Sequence, residues 1–258
     1  MEDLRYCEIL KTRINVTNMR DTLAYLQAHI NELRGRYICV SNVHTTIMSY
    51  ENGQYRAIQN GAAMALPDGA PLSWYSRKKG FPDAERVTGP DLMLELFRQA
   101  PQNGYRHFFY GSTRETLEGM RAVLEREYPA IEIAGMYSPP FRPLTAEEED
   151  AAVKRINDSR PDFVWVGLGA PKQEEWMYAH QGRVNAVMLG VGAGFDYLAG
   201  NIKRAPQWMQ RLYLEWLYRL MQDPRRLWKR YVTTNFKFLK YIYKEKRFLR
   251  AEKKSNGK

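Results

Sequence analysis

Two stretches of this chain repeat one grammar: DFVWVGLGAPKQEEW (residues 162–176) and AVMLGVGAGFD (residues 186–196) each pass from an apolar run through a glycine turn into a helix start. An apolar run bounded in this way is a strand buried on both faces, and strands alternating with helices imply crossover connections and a parallel sheet. RYICVSNVH (residues 36–44) and FFYGS (residues 108–112) end the same way, in small or polar residues. The expected fold class is therefore α/β, a Rossmann-like, mostly parallel sheet with flanking helices. In such sheets ligands bind beyond the carboxyl ends of the strands. Asn42, Gly111, Gly169, Lys172, Gln173, Gly192 and Gly194 fall there and form the expected site wall.

Further elements follow from local signals. Ser112 and Glu115 offer a capping box for a helix running to about Tyr128, and IEIAGMY is a short strand stopped by the loop SPPF. The segment TAEEEDAAVKRIND reads as an acidic helix. Ala205-Pro206 should open a helix with Pro at its first position, in which Leu212, Trp216 and Leu220 keep helical spacing. Asp223-Pro224 should cap and start a second helix reaching about Phe248, with Trp228, Tyr231, Val232, Phe238 and Ile242 as one apolar stripe. The last residues, AEKKSNGK, are expected to fray.

Charge divides the 258 residues unevenly. Residues 201–258 hold 17 Lys or Arg against 4 Asp or Glu, together with 11 aromatics, so the net +10 of the chain comes from its end and the rest is slightly acidic. The expected organisation is a core over residues 1–200 and a basic, aromatic-rich helical appendage over residues 201–258. Such an appendage suits an anionic membrane surface, a nucleic acid or a phosphorylated substrate. No apolar run approaches the roughly 20 residues that span a bilayer, and the opening MEDLRYCEILKTR lacks a signal-peptide core, so a cytoplasmic location is expected. The two cysteines, Cys7 and Cys39, have no neighbours at metal-ligand spacing and read as buried thiols.

Several chemistries are disfavoured by spacing. Phe195 and Lys172 stand where the third glycine of GxGxxG would follow Gly192 and Gly169, and neither a P-loop nor a GxSxG elbow is present. A different grouping is more suggestive. Asp68 sits in ALPDGAPL between Pro67 and Gly69. A carboxylate in such a turn usually caps its own backbone, but one that faces the crevice can act as a general base. Arg86, Lys172, Arg204 and the arginines of the appendage could meet a diphosphate as charge builds on a leaving group. A base with a cationic cradle is the equipment for glycosyl transfer from a sugar nucleotide.

The segments SNVHT, ALPDGAPL, RVTGPDL, FFYGS, GMYSPPF, PDFVWVGLGAPKQEEW, GVGAGFDYLAGNIKRAPQWMQ and LEWLYRLMQDPRRLWKRY together resemble the WecG/TagA/CpsF family of bacterial glycosyltransferases, in family order from about Asn42 to Tyr231. The resemblance implies an inverting enzyme that moves a sugar from a UDP-sugar to a polyprenyl-diphosphate-linked sugar at the inner membrane face, without an obligate metal or other cofactor. N-acetylmannosamine is the first choice of sugar, with glucose or N-acetylmannosaminuronic acid as alternatives, in teichoic acid or exopolysaccharide synthesis. Carried over residue by residue, Asp68 matches the proposed base, while Asn42, Arg86 and Gln173 match polar residues of the pocket. Arg219 and Arg226 match basic residues of an appendage that closes over the site and contacts the diphosphate. Lys229 stands where an arginine is expected and Val40 where some members have threonine. Relatives of this kind can also form homo-oligomers.

Two rival classes use the same residues differently. A nucleic-acid-binding protein would explain the basic appendage but leaves the PDG and PKQE loops unexplained, and no RNA-module signature is present, so no nucleic-acid partner is expected. A noncatalytic membrane adaptor on a transferase fold would leave Asp68 and Gln173 idle.

Overall fold

A computed structural model describes residues 4–255. A hairpin of β1 (Tyr6–Ile9) and β2 (Thr12–Asn15) leads through α1 (Met19–Leu33) to β3 (Tyr37–Ser41). Helices α2 (Val43–Glu51) and α3 (Gly53–Gly61) precede β4 (Met64–Pro67), which is followed by α4 (Ala70–Lys78), α5 (Gly89–Arg98) and the short α6 (Ala100–Asn103). Strict alternation then sets in with β5 (Arg106–Gly111), α7 (Arg114–Glu127), β6 (Glu132–Tyr137), α8 (Ala146–Asp158), β7 (Phe163–Gly167), α9 (Lys172–Ala179), β8 (Val187–Gly190) and α10 (Gly194–Leu198). Helices α11 (Gln207–Arg211), α12 (Glu215–Gln222) and α13 (Pro224–Ser255) complete the fold.

Six strands form one sheet in the order β4-β3-β8-β7-β5-β6, and its strands are parallel, as the strand–helix alternation predicts. Side chains alternate across it. Cys39, Ala65, Tyr110, Val166 and Met188 face one apolar layer, and Ile38, Leu66, Phe109, Trp165 and Leu189 face the other. Both cysteines are free and buried. The chain runs outward from β3 to β4 and returns through β8 on the other side of β3, so the strand order reverses between β3 and β8. Ligand crevices form at such a point because the flanking loops diverge there.

His107 on β5 is fully buried, stacked on Phe163, and accepts the Trp165 Nε1–H at 3.1 Å. Burial pushes its pKa down to about 3. An unfolded histidine titrates near the ordinary 6.5, so the unfolded state takes up the proton first and the fold loses stability as pH falls from about 6.5 toward 3. His107→Phe should remove that component while costing about 1–3 kcal/mol at neutral pH for the orphaned indole N–H. Urea unfolding at pH 7 and pH 4.5 reads both effects, and an unaltered pH slope would contradict this account.

Three helix boundaries differ from those expected from the sequence. The cap of α7 is Thr113, whose side chain accepts from the Thr116 N–H; Ser112 has a left-handed backbone (φ 58°), unlike the extended backbone of an N-cap. The helix expected to open with Pro206 at its first position begins one residue later, and it breaks at Tyr213 (φ 60°), where the Leu214 N–H turns back to the Met209 carbonyl at 2.8 Å. Helix α13 starts as expected, with Asp223 accepting from the Arg226 N–H, but runs past Phe248 to Ser255. Residues 256–258 of the expected frayed end lie outside the described residues.

The apolar stripe of α13 divides in two. Phe238 and Ile242 enter the core beside Val43 and Ile47 of α2, and Tyr241 and Lys237 hold Glu51. Trp228, Val232, Phe236, Leu239 and Tyr243 recur at helical spacing on another face and are exposed.

Candidate active site

The carboxyl edge of the sheet brings the glycine turns and the polar loops into one row. After β3, Asn42 has an extended backbone and caps α2, its Oδ1 accepting from the His44 and Thr45 N–H groups at 3.0 and 3.2 Å. Its amide oxygen is thus committed to the cap. After β4, the Asp68 N–H donates to the Ser41 carbonyl at 2.8 Å, which places the Asp68 loop beside the Asn42 loop.

Asp68 belongs to a cluster of five charges drawn from distant parts of the chain. Arg86 donates through Nε to the Asp68 carbonyl and through Nη2 to Glu215 Oε2 at 2.7 Å, while the same Nη2 stands 3.7 Å from Asp68 Oδ1. Arg204 pairs with Asp91 at 2.6 Å and approaches Glu215 at 3.9 Å. Thr88 caps α5 and donates to Asp91 at 2.6 Å, fixing that carboxylate at the helix start. The guanidinium groups of Arg204 and Arg219 lie over the Tyr197 ring, at 6.0 and 5.2 Å from its centre.

These neighbours set the protonation of Asp68. Burial raises its pKa; Arg86 and Arg204 oppose that, Glu215 and Asp91 add to it, and the outcome is about 6. Asp91, which burial alone would raise, is held below the ordinary carboxylate range by Arg204 and Thr88. Two carboxylates of one cluster are therefore poised differently, with Asp68 able to exchange a proton near neutrality.

Further along the edge, the Gln173 Oε1 accepts from the Gly169 N–H at 3.2 Å and its Nε2 donates to Glu174 at 2.8 Å. Gly190 leaves room for this amide, since a Cβ there would stand 2.9 Å from Gln173 Nε2. Glu174 is fully buried, and burial pushes its pKa up to about 7 against the Gln173 hydrogen bond. Gly111 ends β5 at φ 118°, and a Cβ on it would lie 2.8 Å from the Gly167 backbone. Gly111→Ala should therefore destabilise the fold by about 2–3 kcal/mol through strain at the crevice wall. A thermal melt checks this, and an unshifted melting temperature would refute it.

Of the residues named from sequence, Asp68, Arg86 and Arg204 come together, with Asn42 beside them and Arg219 across Tyr197. Gln173 and Gly111 line the same edge. Lys172 is exposed at the start of α9, and Arg226 pairs with Asp223 at the exposed start of α13 rather than with the Asp68 cluster. Val40 is buried and Lys229 exposed. Among the described residues no group of three or more His, Cys, Asp or Glu side chains is placed to hold a metal ion.

The sequence profile of the glycosyl transferase WecG/TagA/CpsF family matches residues 7–252. The chain belongs to this family. Among relatives, a Bacillus subtilis (strain 168) protein is 34% identical over 216 residues, covering 83% of this chain and 82% of its own length. A Bacillus spizizenii protein is 34% identical over 203 residues (78% and 77%), and a Staphylococcus aureus (strain MW2) protein 33% identical over 195 (75% and 73%). All three are named N-acetylglucosaminyldiphosphoundecaprenol N-acetyl-beta-D-mannosaminyltransferase.

In this WecG/TagA/CpsF chain, sequence reasoning passed over Asp91, Tyr197, Glu215, Glu174 and His44. Each lies inside a segment that carries the family resemblance, which was the available signal. His44, second in α2, is lowered by burial and by Arg230 of α13, so the long helix also contributes charge near the β3 loop.

Proposed function

We propose that this protein is an inverting glycosyltransferase that moves N-acetylmannosamine from UDP-N-acetylmannosamine to undecaprenyl-diphosphate-linked N-acetylglucosamine, forming a β linkage. The names of the relatives supply the substrates. The observation that carries the chemistry is Asp68, held near pKa 6 at the carboxyl edge of the sheet among guanidinium groups. Above that pH its carboxylate accepts the proton of the acceptor hydroxyl. The hydroxyl oxygen attacks the anomeric carbon, the bond from that carbon to the UDP oxygen breaks, and UDP departs with the electron pair. Positive charge nearby stabilises the departing diphosphate. Arg86 and Arg204 are already matched by Glu215 and Asp91, so Arg219 and the exposed cations of α13 are the groups assigned to that charge. The reading includes no obligate metal.

The same reading assigns residues 201–258 as an appendage that attaches the enzyme to an anionic membrane surface. No helix among the described residues is long and apolar enough to cross a membrane. Support comes from the exposed face of α13 and from an apolar notch lined by Leu220, Met221, Pro224, Arg225 and Trp228.

The test is UDP release with a synthetic N-acetylglucosamine-diphospho-lipid acceptor in EDTA, offering UDP-N-acetylmannosamine, UDP-N-acetylglucosamine and UDP-glucose separately. Acceptor-dependent release from the first donor alone is expected, and release from another donor alone would reassign the sugar. With the preferred donor, kcat/KM should rise through pH about 6 and level off above it, since the base works ionised. A profile flat from pH 5 to 8 would contradict the assignment of Asp68.

A further inference from the structure

We propose that Glu215, the first residue of α12, is a positioning residue that draws the Arg86 guanidinium away from Asp68 and so leaves Asp68 free to act as a base; this rests on the reading of Asp68 given above. Arg86 is anchored by its Nε–H on the Asp68 carbonyl, so Nη2 is the arm that can choose between two carboxylates. It bonds Glu215 at 2.7 Å and stays 3.7 Å from Asp68 Oδ1. With Glu215 gone, Asp68 is the nearest carboxylate to that arm. A movement of about 1 Å would turn the longer contact into a charge-assisted hydrogen bond. That bond would occupy an Asp68 lone pair and lower its basicity. Glu215 therefore withdraws the competing cation and adds a negative charge that favours proton uptake by Asp68.

The placement of Glu215 suits this role. It is the first residue of α12, where a helix N-terminus favours a carboxylate, and its side chain is 12% exposed. Its other oxygen is 3.9 Å from Arg204, too far for a hydrogen bond, and Arg204 is itself held by Asp91. The next residue, Trp216, is exposed. The segment bearing an outward aromatic thus also carries the carboxylate that reaches the site. The charged and titratable groups that act on Asp68 are Arg86 from the loop before α5, Asp91 from α5, Tyr197 from α10, Arg204 from the segment before α11 and Glu215 from α12, while Arg219, also from α12, faces Tyr197. Glu215→Gln removes one charge from that set and weakens the hold on Arg86 Nη2, since a neutral amide oxygen attracts a guanidinium less than a carboxylate does.

The experiment is a carbon-13 NMR titration of the side-chain carboxyls in the full chain, with the Asp68 signal assigned by its loss in Asp68→Asn, run beside pH profiles of UDP release. Glu215→Gln should lower the Asp68 midpoint by about one pH unit and the plateau kcat by about tenfold, with donor Kd within about threefold as evidence of an intact fold. Glu215→Asp, which keeps the charge, should restore the midpoint toward the wild-type value. An Asp68 midpoint unmoved in Glu215→Gln overturns the proposal, even if turnover falls, because a structural contact alone would do that. Normal turnover by Asp68→Asn would instead overturn the base assignment, and this proposal with it.

Discussion

Asp68→Asn is expected to lower kcat by about 10²–10⁴-fold while leaving donor Kd within about threefold. Asn has the shape and hydrogen-bonding reach of Asp but cannot take the acceptor proton. The Asp68 main chain does separate work, its N–H on Ser41 and its carbonyl under Arg86, and both contacts survive the substitution. The fold should therefore persist and the loss should fall on the chemical step. Equilibrium binding of UDP-N-acetylmannosamine and single-turnover UDP release separate these parameters. Near-normal turnover would return Asp68 to the ordinary role of a turn carboxylate.

Simultaneous replacement of Trp228, Phe236 and Leu239 by serine should reduce partition onto anionic vesicles by at least about tenfold. An apolar side chain of this size gains about 1.5–3 kcal/mol on full burial, and 1.4 kcal/mol is already a factor of ten. All three are more than 60% exposed, so their loss should leave the melting temperature close to that of the wild type. The core face of α13, with Leu227, Phe238 and Ile242, is untouched. Cosedimentation with vesicles of anionic and of neutral lipid measures the effect, and binding should weaken with salt because nearby cations add about 1 kcal/mol each. Equal sedimentation of variant and wild type would exclude this face as the contact.

Five strands of the sheet were legible because strands buried on both faces leave unbroken apolar runs such as FVWVG; β4 was not, because its four residues run straight into the turn at Pro67 and Asp68. Ser112 was misread because neighbouring hydroxyl residues look alike until φ is known. The break at Tyr213 was hidden because the apolar spacing continues across it. At the site, Asp68, Arg86 and Arg204 could be picked out as residue types suited to the chemistry. Their partners could not. Arg86 and Glu215 are 129 positions apart, and a pairing over that separation is decided by the packing of α12 against the body, which no local pattern records. For the same reason Arg226 looked like Arg219 in sequence, although one pairs with its own helix cap and the other lies over Tyr197.

The strand order bears on how the protein is made. Among the described residues β8 is the last strand to leave the ribosome and lies between β3 and β7, so the nascent chain holds two half-sheets, β3-β4 and β5-β6-β7, that have no shared edge until residue 190 has emerged. Both halves meanwhile present open edges able to pair wrongly. Closure then joins β3 to a strand about 150 residues downstream, a long-range contact of the kind that slows folding. Refolding should therefore be slow and sensitive to protein concentration, and fragments ending before Val187 should aggregate rather than fold.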